Sequence, residues 1–275
     1  MLKCDRSIIE LIKKELKITW VLYYLLRLML NNLFLNILTF FITIVDYSNK
    51  KKILAFFSDQ FKTESLIILD VGAHKGESIH FFMNNFNINK IFSFEPNQDL
   101  YLYLKDRFKK SVQKVELINL GVGNVSEEKE LNIMTESSSS TFNEIDQTSS
   151  YYKRKKKLFS LFFSGSKFLK KKQKIALENL SNIIKNKRID KIDILKIDTE
   201  GYEYNVIRGI NDEDFKKIKF IYFEHHYDLM IKKGYKYSDI NKILNNKGFK
   251  LKYKLKMRFR KSFEYIYEIS EKNIS

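Results

Sequence analysis

The sequence predicts an α/β protein: a doubly wound, mostly parallel sheet of seven strands, with an apolar helical extension over residues 1–50. Three observations lead there. Short apolar runs alternate with helix-length segments from residue 66 onward. Those runs are almost continuously apolar, the pattern of strands buried on both faces. The first of them, "LIILDV" (66–71), stops at "GAHKG" before "ESIHFFM" opens a helix, as a strand-to-helix crossover does.

Taken in order, residues 8–45 come first. They are strongly apolar but interrupted by Lys17, Arg27, Asn31, Asn32 and Asn36. A spanning helix needs about 20 predominantly apolar residues. No small-residue cleavage site follows, which argues against a signal peptide. Three readings stay open: a helical layer on the main domain, a membrane-surface or re-entrant anchor, and a true span. Residues 51–275 then read as one domain. Strands fall at "LIILDV", "KIFSFE" (90–95), "VELINLGV" (115–122), "IDILKID" (192–198) and "KFIYFE" (219–224). Helices fall at "GESIHFFMNNF", "NQDLYLYLKDRFKK", from about Glu203, and around "SDINKILNNKG". "FKLKYKLKM" and "FEYIYEI" close the chain as an antiparallel pair. Pro96 sits just after a strand, where it removes no ladder bond. The Lys-rich segment 147–174 reads as an insertion. It is either a surface loop or a basic amphipathic contact for a membrane or an anionic polymer.

Composition bounds the function. The chain has 275 residues, 44% of them hydrophobic, and a single cysteine, Cys4. That suits a well-cored protein of a reducing compartment, a cytoplasm. The net charge of +17 is nearly all lysine. It reflects either an anionic partner or a bias of base composition. Arginine, the residue of bidentate base and phosphate contacts, is scarce, so a nucleic-acid partner is not expected.

The turn after the first strand carries the chemistry. Gly72 and Gly76 are expected to bring bare backbone N–H groups toward a ligand at a helix N-terminus. Their spacing is not that of a dinucleotide or P-loop cradle. Asp70, just before, suits a cationic or amino group better than a pyrophosphate. Glu95 ends the neighbouring strand, where a carboxylate accepts the two hydroxyls of a ribose. S-adenosylmethionine fits a ligand with a cationic amino-acid part and a ribose but no diphosphate, and NAD fits it poorly.

The stretch resembles the glycine motif of Rossmann-type S-adenosylmethionine-dependent methyltransferases, and in particular the FkbM family. "FEPNQDLYLYL", "SSSSTF" (137–142) and "LKIDTEGYEYNVIRGI" (195–210) resemble further blocks of that family. The resemblance runs from Ile67 to about Phe249 and leaves out the N-terminal 50 residues and the Lys-rich segment. It implies a cofactor site at Asp70, Gly72, Ala73, Gly76, Glu95 and Asn97. It also implies O-methylation of a hydroxyl on a sugar, glycan or related metabolite.

In an open parallel sheet the crevice lies outside the carboxyl ends of the strands. Asp70, Glu95, Asp198, Glu200 and Glu224 should therefore converge on one rim, with Lys196 offsetting part of their charge. Catalytic roles are expected for Asp198, Glu200 and one of His225 and His226, histidine being the usual base near neutral pH. Glu203, opening a helix, reads as a dipole partner, and His74 and His80 as surface residues. A divalent metal on Asp198, Glu200 and Glu224 is chemically possible, but nothing in the spacing demands one and none is predicted. Two other functions compete. One is a basic, membrane-associated protein with a vestigial cofactor fold. The other is a nucleic-acid methyltransferase, which would carry an N/D-P-P-Y/F motif where this chain has "DTEG".

Overall fold

The computed structural model describes residues 48–134, 140–162, 169–257 and 261–270. The apolar stretch 8–45 and part of the Ser-rich block lie outside them. The chain divides into two compact units between Lys51 and Lys52. Of the first, residues 48–51 are described, and they are helical. Among the described residues no helix is long and apolar enough to cross a membrane.

The second unit is built on a seven-stranded sheet. Helix α1 is described over 48–60. Strand β1 (Leu66–Val71), helix α2 (Glu77–Asn85), strand β2 (Ile88–Phe94), helix α3 (Gln98–Arg107) and strand β3 (Val115–Ile118) wind one half. Then come the short strands β4 (Gly121–Gly123), β5 (Glu127–Met134) and β6 (Glu144–Ile145), helix α4 (Ser150–Phe162) and strand β7 (Leu169–Asn179). The second half has helix α5 (Leu180–Asn186), strand β8 (Ile192–Ile197), helices α6 (Glu203–Arg208) and α7 (Asp212–Phe215), and strand β9 (Ile218–His226). It ends with strand β10 (Ile231–Lys232), helix α8 (Tyr237–Asn246) and strands β11 (Phe249–Lys256) and β12 (Ser262–Ile269).

The main sheet runs β11-β12-β9-β8-β1-β2-β3. Pairings from β9 through β3 are parallel, and β12 enters antiparallel between β9 and β11. The order reverses between β1 and β8, so the crevice of an open α/β sheet opens at their carboxyl ends. Side chains alternate across the sheet. Leu66 and Ile68 of β1 face Phe57, Phe82 and Phe220 in one apolar cluster, while Leu69 and Val71 join Ile184, Val206 and Ile240 in the other. Both faces are therefore cored. Each fully buried ring such as Phe57 contributes roughly 2–3 kcal/mol.

Two expectations are corrected. "VELINLGV" is not one strand. It breaks at Asn119–Leu120, and β4 leaves the main sheet to pair with β7. Asn119 explains the break, because its amide donates to the carbonyls of Glu95 and Pro96 at 2.8 and 3.1 Å. The Lys-rich segment is not a loop: it contains α4 and the start of β7. β7 pairs antiparallel with β5, with Ile175 and Leu177 buried and Lys174 and Ala176 exposed between and beside them. That two-residue period is what makes it a strand.

Candidate active site

The carboxyl end of β1 is held by an ionic and hydrogen-bonded knot. Asp70 is fully buried. Its Oδ2 accepts from the hydroxyls of Ser78 and Ser93 at 2.7 and 2.8 Å, and Lys196 Nζ on β8 lies 3.3 Å from its Oδ1. Lys196 also donates to the Gly72 carbonyl at 3.2 Å and stands 3.6 Å from Asp198 Oδ2. Burial disfavours the Lys196 ammonium, but Asp70 and Asp198 outweigh it and raise its pKa.

The glycines serve shape. Gly72 has φ 89, and a Cβ there would stand 1.9 Å from the Asp198 carbonyl oxygen. Gly76, at φ 84, leaves room for the Phe108 ring. The expected bare N–H groups are turned inward instead. Those of Gly72 and Ala73 donate to the Phe94 carbonyl, and that of Gly76 donates to Ala73. The reason is the tight crossover, which must satisfy its own backbone before the helix begins. The Ala73 side chain packs in the apolar cluster with Leu104 and Phe108.

Glu95 is the polar centre of the turn. Its carboxylate accepts the His74 N–H at 2.8 Å and the Asn97 N–H at 2.9 Å. Each oxygen keeps a second lone pair. Burial pushes the Glu95 carboxyl up to about 7 against those two donors. Asn97 is itself buried, and its side chain accepts from Asp99 N as the cap of α3. His74 belongs to this site through its backbone, held at φ 50. Residue type alone gives no hint of that contribution.

Across the switch point, the turn after β8 is over-determined. Glu203 is fully buried. Its Oε1 accepts from Thr199 Oγ1 at 3.1 Å and Gly201 N at 2.8 Å, and its Oε2 accepts from Tyr235 at 2.5 Å. Glu203 is thus the clamp of the turn more than a helix-dipole partner. Thr141 and Asn143 donate to the carbonyls of Glu200 and Gly201. These contacts hold Glu200 at φ 50, a left-handed backbone uncommon for a side-chain-bearing residue.

The two histidines part company, as successive residues of a strand must. His226 faces the rim: its Nε2 lies 3.5 Å from Glu200 Oε2 and 3.5 Å from Glu224 Oε1. His225 faces away, with its ring 4.8 Å from Tyr227 and 5.7 Å from Tyr235. Burial pushes His225 down to about 4, helped by Lys233 and His226, so it is neutral. For His226, burial is outweighed by Glu200 and Glu224, and its pKa is raised. Burial raises Glu200 in turn. His226 thus stands between two acidic side chains that favour its protonated form. Sequence reading also missed Asp228, whose Oδ2 faces His226 Nδ1 at 3.7 Å.

Asp70, Lys196 and Asp198 thus form one connected group, and Glu200, Glu224 and His226 another, at the ends of β1, β8 and β9. These carboxylates lie at the strand-end crevice of an open α/β sheet. The methyltransferase FkbM domain family matches residues 70–251. The chain belongs to that family, a branch of the S-adenosylmethionine-dependent methyltransferases.

Solved structures give further likenesses. The FkbM methyltransferase of Methylobacillus flagellatus KT shares 14% identity at a TM-score of 0.46, over 74% of this chain and 44% of its own. The chain thus spans less than half the length of that relative. The magnesium protoporphyrin IX methyltransferase of Synechocystis PCC 6803 with bound S-adenosylhomocysteine shares 10% at 0.46, over 83% and 85% of the two chains. An rRNA methylase of Streptococcus thermophilus shares 10% at 0.44, over 79% and 94%. No curated protein matches the chain.

Proposed function

We propose that the chain transfers a methyl group from S-adenosylmethionine to a hydroxyl of a sugar, glycan or related metabolite. The observation that carries the reading is the acidic set at the switch point, Asp70, Glu95 and Asp198, inside the matched family block. A carboxylate at the end of β2 suits ribose hydroxyls, and Asp198, braced by Lys196 on the buried Asp70, suits an amino group or a sulfonium. Nothing in this donor set suits a pyrophosphate.

When bound, S-adenosylmethionine supplies an electrophilic methyl carbon on a positively charged sulfur. Glu95 accepts from the ribose and fixes that end. The Gly72 turn brings the backbone of β1 against that of β8, so residues of both strand ends would hold the ligand. Asp198, whose side chain is 35% exposed, faces the crevice and orients the acceptor. Held so, the acceptor oxygen would take that methyl carbon as the S–C bond gives its electron pair to sulfur. The hydroxyl proton passes to Glu200, the carboxylate that the strained turn holds beside His226. Alignment and proton removal are the protein's share.

A glycan acceptor is favoured over RNA by the "DTEG" turn, which lacks the motif of base-methylating enzymes. To test this, the chain is incubated with S-adenosylmethionine and either saccharides or bulk RNA, and S-adenosylhomocysteine is counted. Release with saccharides and not RNA supports the reading; the reverse result transfers the acceptor to nucleic acid.

A further inference from the structure

We infer that Asp198, Glu224 and His226 bind one divalent cation of the Mg²⁺/Mn²⁺ class on the acceptor side of the crevice. One ligand atom from each lies within 4.8 Å of the other two, a span that a single ion bridges. The three come from the ends of adjacent strands, so the sheet itself fixes their spacing. A second observation points the same way. His226 is only 9% exposed, yet its Nε2 makes no hydrogen bond with the described residues. That nitrogen points at Glu200 and Glu224, and Asp228 stands on the opposite side of the ring at Nδ1. A carboxylate behind an imidazole is the usual support for a metal-bound histidine. Lys196 reaches Asp198 but is also committed to Asp70.

The ligand set selects the ion. Two carboxylates and one imidazole, without a thiolate, suit a hard cation with open positions for water or substrate oxygens. An imidazole ligates through an unprotonated nitrogen, so the site takes up the ion more readily as pH rises. A hydroxyl bound to the ion becomes more acidic, which eases proton loss to Glu200. That use rests on the function proposed above; the ion site itself does not.

The test uses the full chain without a polyhistidine tag, stripped with a chelator and titrated with Mn²⁺ while the free-ion spin-resonance signal is followed. The expected result is saturable uptake of one Mn²⁺ per chain, weakened at least about tenfold in Glu224→Gln and in His226→Gln. Uptake by the native chain is read first, so a variant that fails to fold does not decide the outcome. Absence of saturable uptake, or uptake unchanged in folded variants, overturns the site. S-adenosylmethionine is titrated in parallel. Cofactor binding without Mn²⁺ removes the ion and leaves methyl transfer standing. Mn²⁺ binding without the cofactor keeps the ion and removes methyl transfer.

Discussion

Lys196 Nζ lies 3.3 Å from Asp70 Oδ1, and this buried pair ties β8 to β1 at the point where the strand order reverses. The pair does two things. It fixes the floor of the crevice, and it places a permanent positive charge beneath carboxylates that would otherwise repel one another.

Removing one partner leaves the other charge buried and uncompensated. Lys196→Met is expected to cost about 3–5 kcal/mol of stability. Urea denaturation followed by circular dichroism measures it. Lys196→Met with Asp70→Leu should cost less than the single change. A loss below about 1 kcal/mol in the single variant would mean that solvent already reaches the pair.

Gly72 and Gly234 make a contrast at similar backbone angles. Gly72→Ala meets the Asp198 carbonyl and should cost more than about 3 kcal/mol. At Gly234, φ 72, a Cβ meets nothing within 4 Å, so Gly234→Ala should cost only about 1–2 kcal/mol of backbone strain. Equal melting temperatures for the two variants would contradict the close approach of β1 and β8.

Glu95 predicts a pH dependence. Its carboxyl, pushed up to about 7 by burial, must be ionised to accept both ribose hydroxyls. His74, which favours ionisation, and Asp70, which opposes it, face it. Affinity for S-adenosylmethionine should therefore rise by up to about tenfold from pH 6 to pH 8. Stability runs the other way. A carboxyl raised in the folded state stabilises the ligand-free chain fully below the usual value of 4.5, and this is lost as pH climbs through about 7. Both slopes should flatten in Glu95→Gln, as calorimetry and thermal melts across pH would show.

The histidine pair predicts a split. His226→Ala should lower turnover by about 10²-fold or more, because it dismantles the charge pattern around Glu200. His225→Ala should leave turnover within a few-fold of normal and cost about 1–3 kcal/mol of stability, since its ring packs among tyrosines. Initial rates on a saccharide acceptor, with melts of both variants, separate the two. The opposite assignment would mean that β9 presents its other face.

Much of this was legible in the sequence because parallel strands buried on both faces are nearly uniform apolar runs, and β1, β2, β8 and β9 all read that way. β7 was not, because five of its first six residues are lysine or glutamine and mask the alternation of Ile175 and Leu177. β6 and β10, two residues each, carry no period at all. At the site, topology alone gathered Asp70, Glu95, Asp198, Glu200 and Glu224 at strand ends. Which histidine turns inward depends on strand register, and Glu95 taking backbone N–H groups depends on a turn conformation. Neither is encoded in residue type.

The central claim is that the strand ends of β1, β2 and β8 hold S-adenosylmethionine, with Glu95 on its ribose. Calorimetric titration of the full chain tests it most directly. The account predicts one site per chain and a loss in Glu95→Ala of about 1.5–3 kcal/mol, roughly 10- to 150-fold in affinity. No saturable binding by the native chain, or an affinity unchanged in a folded Glu95→Ala variant, would contradict it.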